Sequence, residues 1–160
     1  EPAKNVTKVK AGPGGMTVKG GDLQTVDQYI TAKPGFVTYV DDGRLWVFLP
    51  GSEDLAAYEK AGEPAKSVTR VRAGPGGMTI RAPETKLIDE YLAAADGFET
   101  IIVDGRIWVF RPGSEDLAEF RKSGEPAKNV TKVKAGPGGM TVKSGDLGTI
   151  NDYLRMVSAD

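Results

Sequence analysis

Val6-Thr7-Lys8-Val9-Lys10-Ala11 alternates apolar and polar residues, as a strand with one buried face does, and Met16-Thr17-Val18-Lys19 resumes the alternation. Between them lies Gly12-Pro13-Gly14-Gly15. Proline at the second turn position and glycine at the third predict a type II turn, because proline presets φ and glycine accepts the positive φ that follows. The period then lengthens. Leu23, Val26, Tyr29 and Ile30 recur at three- and four-residue spacing behind Asp22, which predicts an N-capped helix ended by Pro34-Gly35.

The next stretch repeats that logic with different residues. Phe36 to Val40 and Leu45 to Leu49 flank Asp41-Asp42-Gly43-Arg44. Asp-Gly predicts a type I′ hairpin, whose two central residues both need positive φ. Ser52 then caps a helix that opens with Glu53-Asp54, carries Leu55, Ala56 and Tyr58, and stops at Gly62.

The whole pattern recurs. Glu1-Pro2-Ala3-Lys4 returns as Glu63-Pro64-Ala65-Lys66 and as Glu125-Pro126-Ala127-Lys128. Laying residues 1–62 on 63–124 without a gap leaves about 35 identical positions, and laying 1–36 on 125–160 leaves about 24. The reading is a ββαββα module over residues 1–62, a second over 63–124, and the ββα first half of a third over 125–160. In this reading five ββα units run in A-B-A-B-A order, and the chain is a piece of a longer array or is out of phase with this numbering. One hairpin with one helix is too small to stand alone, so neighbouring units must share a core. Right-handed crossovers then predict an α/β (α+β) tandem repeat with a mixed β-sheet and all helices on one face. The alternative arrangement is one compact pseudo-twofold domain per module, strung like beads.

Strand alternation also sorts the side chains by face. Val9, Ala11, Met16 and Val18 fall on the helix side of the A hairpin, with Lys8, Lys10, Thr17 and Lys19 opposite; the second copy puts Arg70, Arg72 and Arg81 at three of these positions. In the B hairpin, Arg44, Trp46 and Phe48 share a face, as do Arg106, Trp108 and Phe110 in the next copy. Cations beside aromatic rings suit an extended polyanion or a glycan, with rings stacking bases or sugars and cations tracking phosphates. The candidate ligand-binding residues are therefore Lys8, Lys10, Arg44, Trp46, Arg70, Arg72, Arg106 and Trp108. Against this stands a simpler reading. Leu45 to Leu49 is apolar on both faces, as a central strand is, so the tryptophans belong to a core that covers both sides of the sheet. The glycine-rich turns at 12–15, 74–77 and 136–139 could form anion nests, but they join two strands and lack the Gly-Lys-Ser/Thr ending of a phosphate loop, which favours plain tight turns.

Composition narrows the chemistry further. The 160 residues include no cysteine and no histidine, which removes disulfides, thiolates, the usual zinc ligand sets and the commonest general base. The only adjacent acid pair at a turn, Asp41-Asp42, becomes Val103-Asp104 in the second copy, so that pair does not recur with the module. The expectation is a protein that is not an enzyme and takes no cofactor or metal. A net charge of −1 argues against wholesale attraction to nucleic acid or anionic membrane, and no apolar run approaches the ~18 residues of a membrane span. Charge is layered all the same: residues 4–19 and 66–81 carry basic side chains and no acid, whereas the B helices open with Glu53-Asp54 and Glu115-Asp116. The functional expectation is a non-catalytic structural or interaction repeat array, its partners being neighbouring repeats or other copies of itself. The competing expectation is the polyanion or glycan module. Burial of Trp46 and Trp108 separates the two.

Overall fold

The hairpin turns that open each B segment form as their sequence demands. Asp42 and Gly43 adopt φ of 53° and 73°, and Asp104 and Gly105 adopt 50° and 72°. These are the paired positive values of a type I′ turn, which matches the right-handed twist of the strands it joins. The computed structural model describes residues 6–8 and 16–157. Within them the strands are β1 (Val6–Lys8), β2 (Val18–Gly20), β3 (Val37–Asp41), β4 (Arg44–Phe48), β5 (Val68–Arg70), β6 (Thr79–Ala82), β7 (Glu99–Val103), β8 (Arg106–Phe110), β9 (Val130–Lys132) and β10 (Thr141–Ser144). The helices are α1 (Leu23–Thr31), α2 (Glu53–Ala61), α3 (Thr85–Ala93), α4 (Glu115–Ser123) and α5 (Leu147–Val157).

The predicted caps hold the helix ends. Asp22 Oδ1 accepts from the Thr25 N–H at 2.7 Å, Ser52 Oγ from Leu55 at 3.2 Å, Ser114 Oγ from Leu117 at 3.3 Å and Asp146 Oδ1 from Thr149 at 2.8 Å. Each satisfies an N–H that the helix itself leaves without a partner. Gly62 and Gly124 close α2 and α4 in the left-handed conformation, at φ of 86° and 87°.

The result is a mixed α+β fold of five helices and three sheets among the described residues. One four-stranded sheet runs β3-β4-β6-β5 and the other β7-β8-β10-β9, while β1 and β2 form a two-stranded antiparallel ribbon. In each four-stranded sheet the two hairpins join through one parallel pair, β4 with β6 and β8 with β10. Gly62 and Gly124 lie between the joined hairpins. Each larger sheet thus unites the second hairpin of one sequence repeat with the first hairpin of the next. The chain divides into two compact units between Tyr91 and Leu92. The first holds β1 to β6 with α1, α2 and most of α3. The second holds β7 to β10 with α4 and α5.

Two expectations need correcting. The helices do not all lie on one face. Ile107 and Val109 of β8 pack with Ile150 and Tyr153 of α5, whereas Trp108 and Phe110 of the same strand pack with Leu117 and Phe120 of α4. Neighbouring side chains on a strand point to opposite faces. The strand is buried from residue 107 to 110, so both its faces need a cover, and one helix of each kind supplies it. The A hairpin also stops alternating early. Val71 and Val133 are exposed, because β5 and β9 end one residue before them and Arg72 and Lys134 then turn to φ of 55° and 54°. The equivalent Val9 and Lys10, with the first Gly-Pro-Gly-Gly turn, lie outside the described residues.

Candidate functional site

Trp46 and Trp108 decide what the basic and aromatic residues can do, and both are buried, at 5% and 6% exposure. The register of the sheet pairs Trp46 with Tyr39 on one side and with Arg81 on the other. The Trp46 ring lies parallel to that of Phe48 at 5.9 Å, and Tyr58 of α2 packs over both, at 5.2 and 5.0 Å. The Arg81 guanidinium sits 4.5 Å from the Trp46 ring centre and donates to Ser67 Oγ at 3.2 Å. The second unit rebuilds the cluster with changed residues. Trp108 and Phe110 stack at 6.1 Å, Phe120 replaces the tyrosine, and Lys143 lies 4.8 Å from the Trp108 ring. An aromatic face and a cation do meet, as the alternation of the strands predicts. A helix closes the face, and the cation comes from the neighbouring strand of the protein itself, so the rings offer no open stacking platform.

Hydroxyls around the first cluster answer to this setting. Tyr39 donates to Glu59 at 2.7 Å, and that hydrogen bond holds the phenol above its ordinary pKa. Burial does the same to Tyr58.

The remaining candidate residues do not converge. Lys8 bonds Asp27, a buried carboxylate on α1. Arg70 bonds Asp89 of α3 at 2.7 Å, and in the next copy Lys132 donates to Asn151 of α5 at 2.6 Å. These three pairs stand at one position of the repeat: a strand cation tied to the helix that follows it. Lys8 and Arg70 thus lie on the helix side of the A hairpin and not opposite it as expected, because the register sets them beside Val18 and Ile80. Arg44 and Arg106 are exposed beside the type I′ turns, and Arg72 is exposed where β5 has ended. Lys10 lies outside the described residues. The seven described candidates therefore fall into three groups: core rings, cations tied to helices, and exposed arginines at turns.

The glycine turns are tight and self-satisfied. In the second copy Gly77 N–H donates to Gly74, Met78 to Pro75 and Gly74 to the Met78 carbonyl, at 3.0, 3.3 and 2.9 Å. Those N–H groups are unavailable to an anion. Gly74 is also required by space, since a Cβ there would sit 2.8 Å from Ile80 Cγ1 and 3.1 Å from the Met78 carbonyl oxygen.

One recurring contact has no counterpart among the residues singled out from the strands. Tyr91 of α3 is fully buried, and its hydroxyl donates to the carbonyl of Thr31, the last residue of α1, at 2.6 Å. Phe36 meets the same ring edge-on at 5.5 Å. In the second unit Tyr153 donates to the Ala93 carbonyl at 2.7 Å, and Phe98 meets its ring edge-on at 5.6 Å. Burial raises both phenols far above their ordinary pKa. A signal existed in the sequence. Tyr29, Tyr91 and Tyr153 keep one position in all three copies while most of the helix around them varies.

Among the described residues no three Asp or Glu side chains gather to hold a metal ion, and no helix is long and apolar enough to cross a membrane. Compared with family models, curated proteins and solved structures, the chain matches none of them.

Proposed function

We propose that this chain is a tandem array of five ββα units, in A-B-A-B-A order, that works as a non-catalytic scaffold and joins with neighbouring repeats. The observation that carries the reading is the tyrosine contact. Tyr91 and Tyr153 close onto the ends of the A-type helices that precede them, with the same spacing in sequence and the same aromatic partner. Such a contact serves to join one unit to the next. It is repeated as faithfully as the turns and caps within a unit. The strand-cation pairs Lys8–Asp27 and Arg70–Asp89 recur at the same step. By contrast, the rings that a ligand surface needs are enclosed: the tryptophans are core, and cations of the protein itself are already in place over them.

Repeat arrays gain stability from each interface between neighbours, so lengthening the chain tests the reading. Inserting one further copy of residues 63–124 after Gly124 adds one more junction of each kind. The expected result is a higher melting temperature with a single cooperative transition. A second transition at an unchanged temperature overturns the array. A scaffold of this kind also binds heparin or single-stranded DNA no better than its net charge of −1 allows. Tight binding that weakens steeply with added salt, by counterion release, would instead establish the polyanion module.

A further inference from the structure

The three A-type hairpin–helix segments differ in what covers them. Met78 and Met140 are buried, at 6% and 9% exposure, and Tyr91 and Tyr153 are fully enclosed. Their counterparts in the first copy, Met16 and Tyr29, are exposed at 60% and 56%. The sequence does not explain the difference, because methionine and tyrosine stand at these positions in every copy. What differs is the neighbour. In the second unit Met140, Val142 and Tyr153 pack against Ile102, Ile107 and Val109 of the B hairpin that precedes them in the chain. That hairpin also extends the sheet, with β8 lying parallel to β10. β6 has β4 in the same role. β2, the matching strand of the first copy, has only β1 beside it among the described residues.

We infer that β2, α1 and the exposed Met16 and Tyr29 form an acceptor for a B-type hairpin–helix segment supplied by another chain. This rests on the repeat-array reading and names its point of joining. The occupied copies specify the occupant. It carries a strand that adds parallel to β2, with an isoleucine or leucine level with Val18, as Ile107 is level with Val142 and Leu45 with Ile80. Its next residue is tryptophan, which lies beneath Lys19 as Trp108 lies beneath Lys143. A helix-end carbonyl and a phenylalanine five residues beyond it complete the fit, taking the Tyr29 hydroxyl and ring edge as Ala93 and Phe98 take those of Tyr153. This is strand addition at a sheet edge combined with a side-chain pocket, a known mode of recognition between chains. Among the described residues each B hairpin is already paired within its own sheet, so neither is free to cover β2.

The test uses the whole chain and a synthetic peptide of residues 92–124, with Met16 and Tyr29 followed by NMR. The peptide is expected to shift both signals saturably and to slow hydrogen exchange along β2. Tyr29→Phe, which loses only the hydroxyl, is expected to weaken binding about five- to tenfold, the worth of a single hydrogen bond to a buried acceptor. Val18→Asp, which puts a charge where the apolar strand must lie, is expected to abolish it. A second protein, in which residues 92–124 are fused directly ahead of Glu1, separates the possible failures. If the fusion buries Tyr29 while the free peptide does not bind, the array stands and acceptance between chains is overturned. If Tyr29 stays exposed in the fusion as well, both fall. Protection of Met16 and Tyr29 that grows with concentration in the absence of peptide assigns the face to a second copy of its own kind, and overturns a B-type occupant.

Discussion

The hydroxyl of Tyr91 donates a 2.6 Å hydrogen bond to the carbonyl of Thr31, sixty residues earlier in the chain. Thr31 ends α1, and the last carbonyls of a helix have no partner inside it. A tyrosine from another helix supplies one of the missing donors, and Tyr153 does the same for Ala93 at the end of α3. The bond therefore completes a helix terminus and fixes which helix follows which. Removing the hydroxyl leaves a buried carbonyl without its donor. Tyr91→Phe and Tyr153→Phe are each expected to cost about 1–2 kcal/mol in urea unfolding, with the fold unchanged by circular dichroism.

Alkaline pH acts on the same pair. Burial holds both phenols protonated well above the ordinary value near 10. The unfolded chain therefore releases these protons first, and it binds fewer of them than the native state once pH passes about 10. The stabilisation is complete below that pH and is lost as pH rises above it. Urea melts at pH 9 and pH 11 are expected to show a marked fall in stability. In the double Tyr91→Phe, Tyr153→Phe variant the fall should be smaller.

Trp46→Ala and Trp108→Ala remove rings that fill the space between sheet and helix. Each is expected to destabilise by about 3–5 kcal/mol, read from thermal or urea melts. A change below about 1 kcal/mol would mean that the rings are not packed as described.

The strand-cation pairs offer a comparison inside one molecule. Arg70 faces Asp89, whereas Lys132 at the same position of the next copy faces the neutral Asn151. Asn151→Asp turns the third pair into an ion pair. It is expected to add up to about 1 kcal/mol at low salt, and to lose most of that in 1 M salt, since both partners are partly exposed to solvent.

Gly74→Ala tests the tight turn. The added methyl meets Ile80 and the Met78 carbonyl, so a loss of about 1–3 kcal/mol is expected, with the damage confined to the first unit. Hydrogen exchange resolved by residue would show β5 and β6 opening first.

Much of this fold was legible before any coordinates. Asp42-Gly43 needs two residues of positive φ and takes them; Ser52 and Ser114 cap because a short hydroxyl reaches back to an N–H of the first turn. These are local events, settled within four residues. The candidate surface was legible only in its parts. Trp46 and a cation do share one face of the sheet, but the cation in contact is Arg81, brought there by a parallel pairing of strands 35 residues apart in sequence. Alternation tells which residues share a face. It is silent on whether a helix lies over that face.

The sequence by itself determined the type I′ turns, the helix caps and the positions of the helices, because each depends on backbone conformations that a few adjacent residues impose. Tertiary structure decided the rest. It joined the B hairpin of one sequence repeat to the A hairpin of the next, put helices on both faces of the sheet and enclosed the tryptophans. It also left Tyr29 bare while burying Tyr91 and Tyr153. Those outcomes follow from which apolar surfaces find one another across long stretches of chain. Identical residues meet different fates there because their neighbours differ.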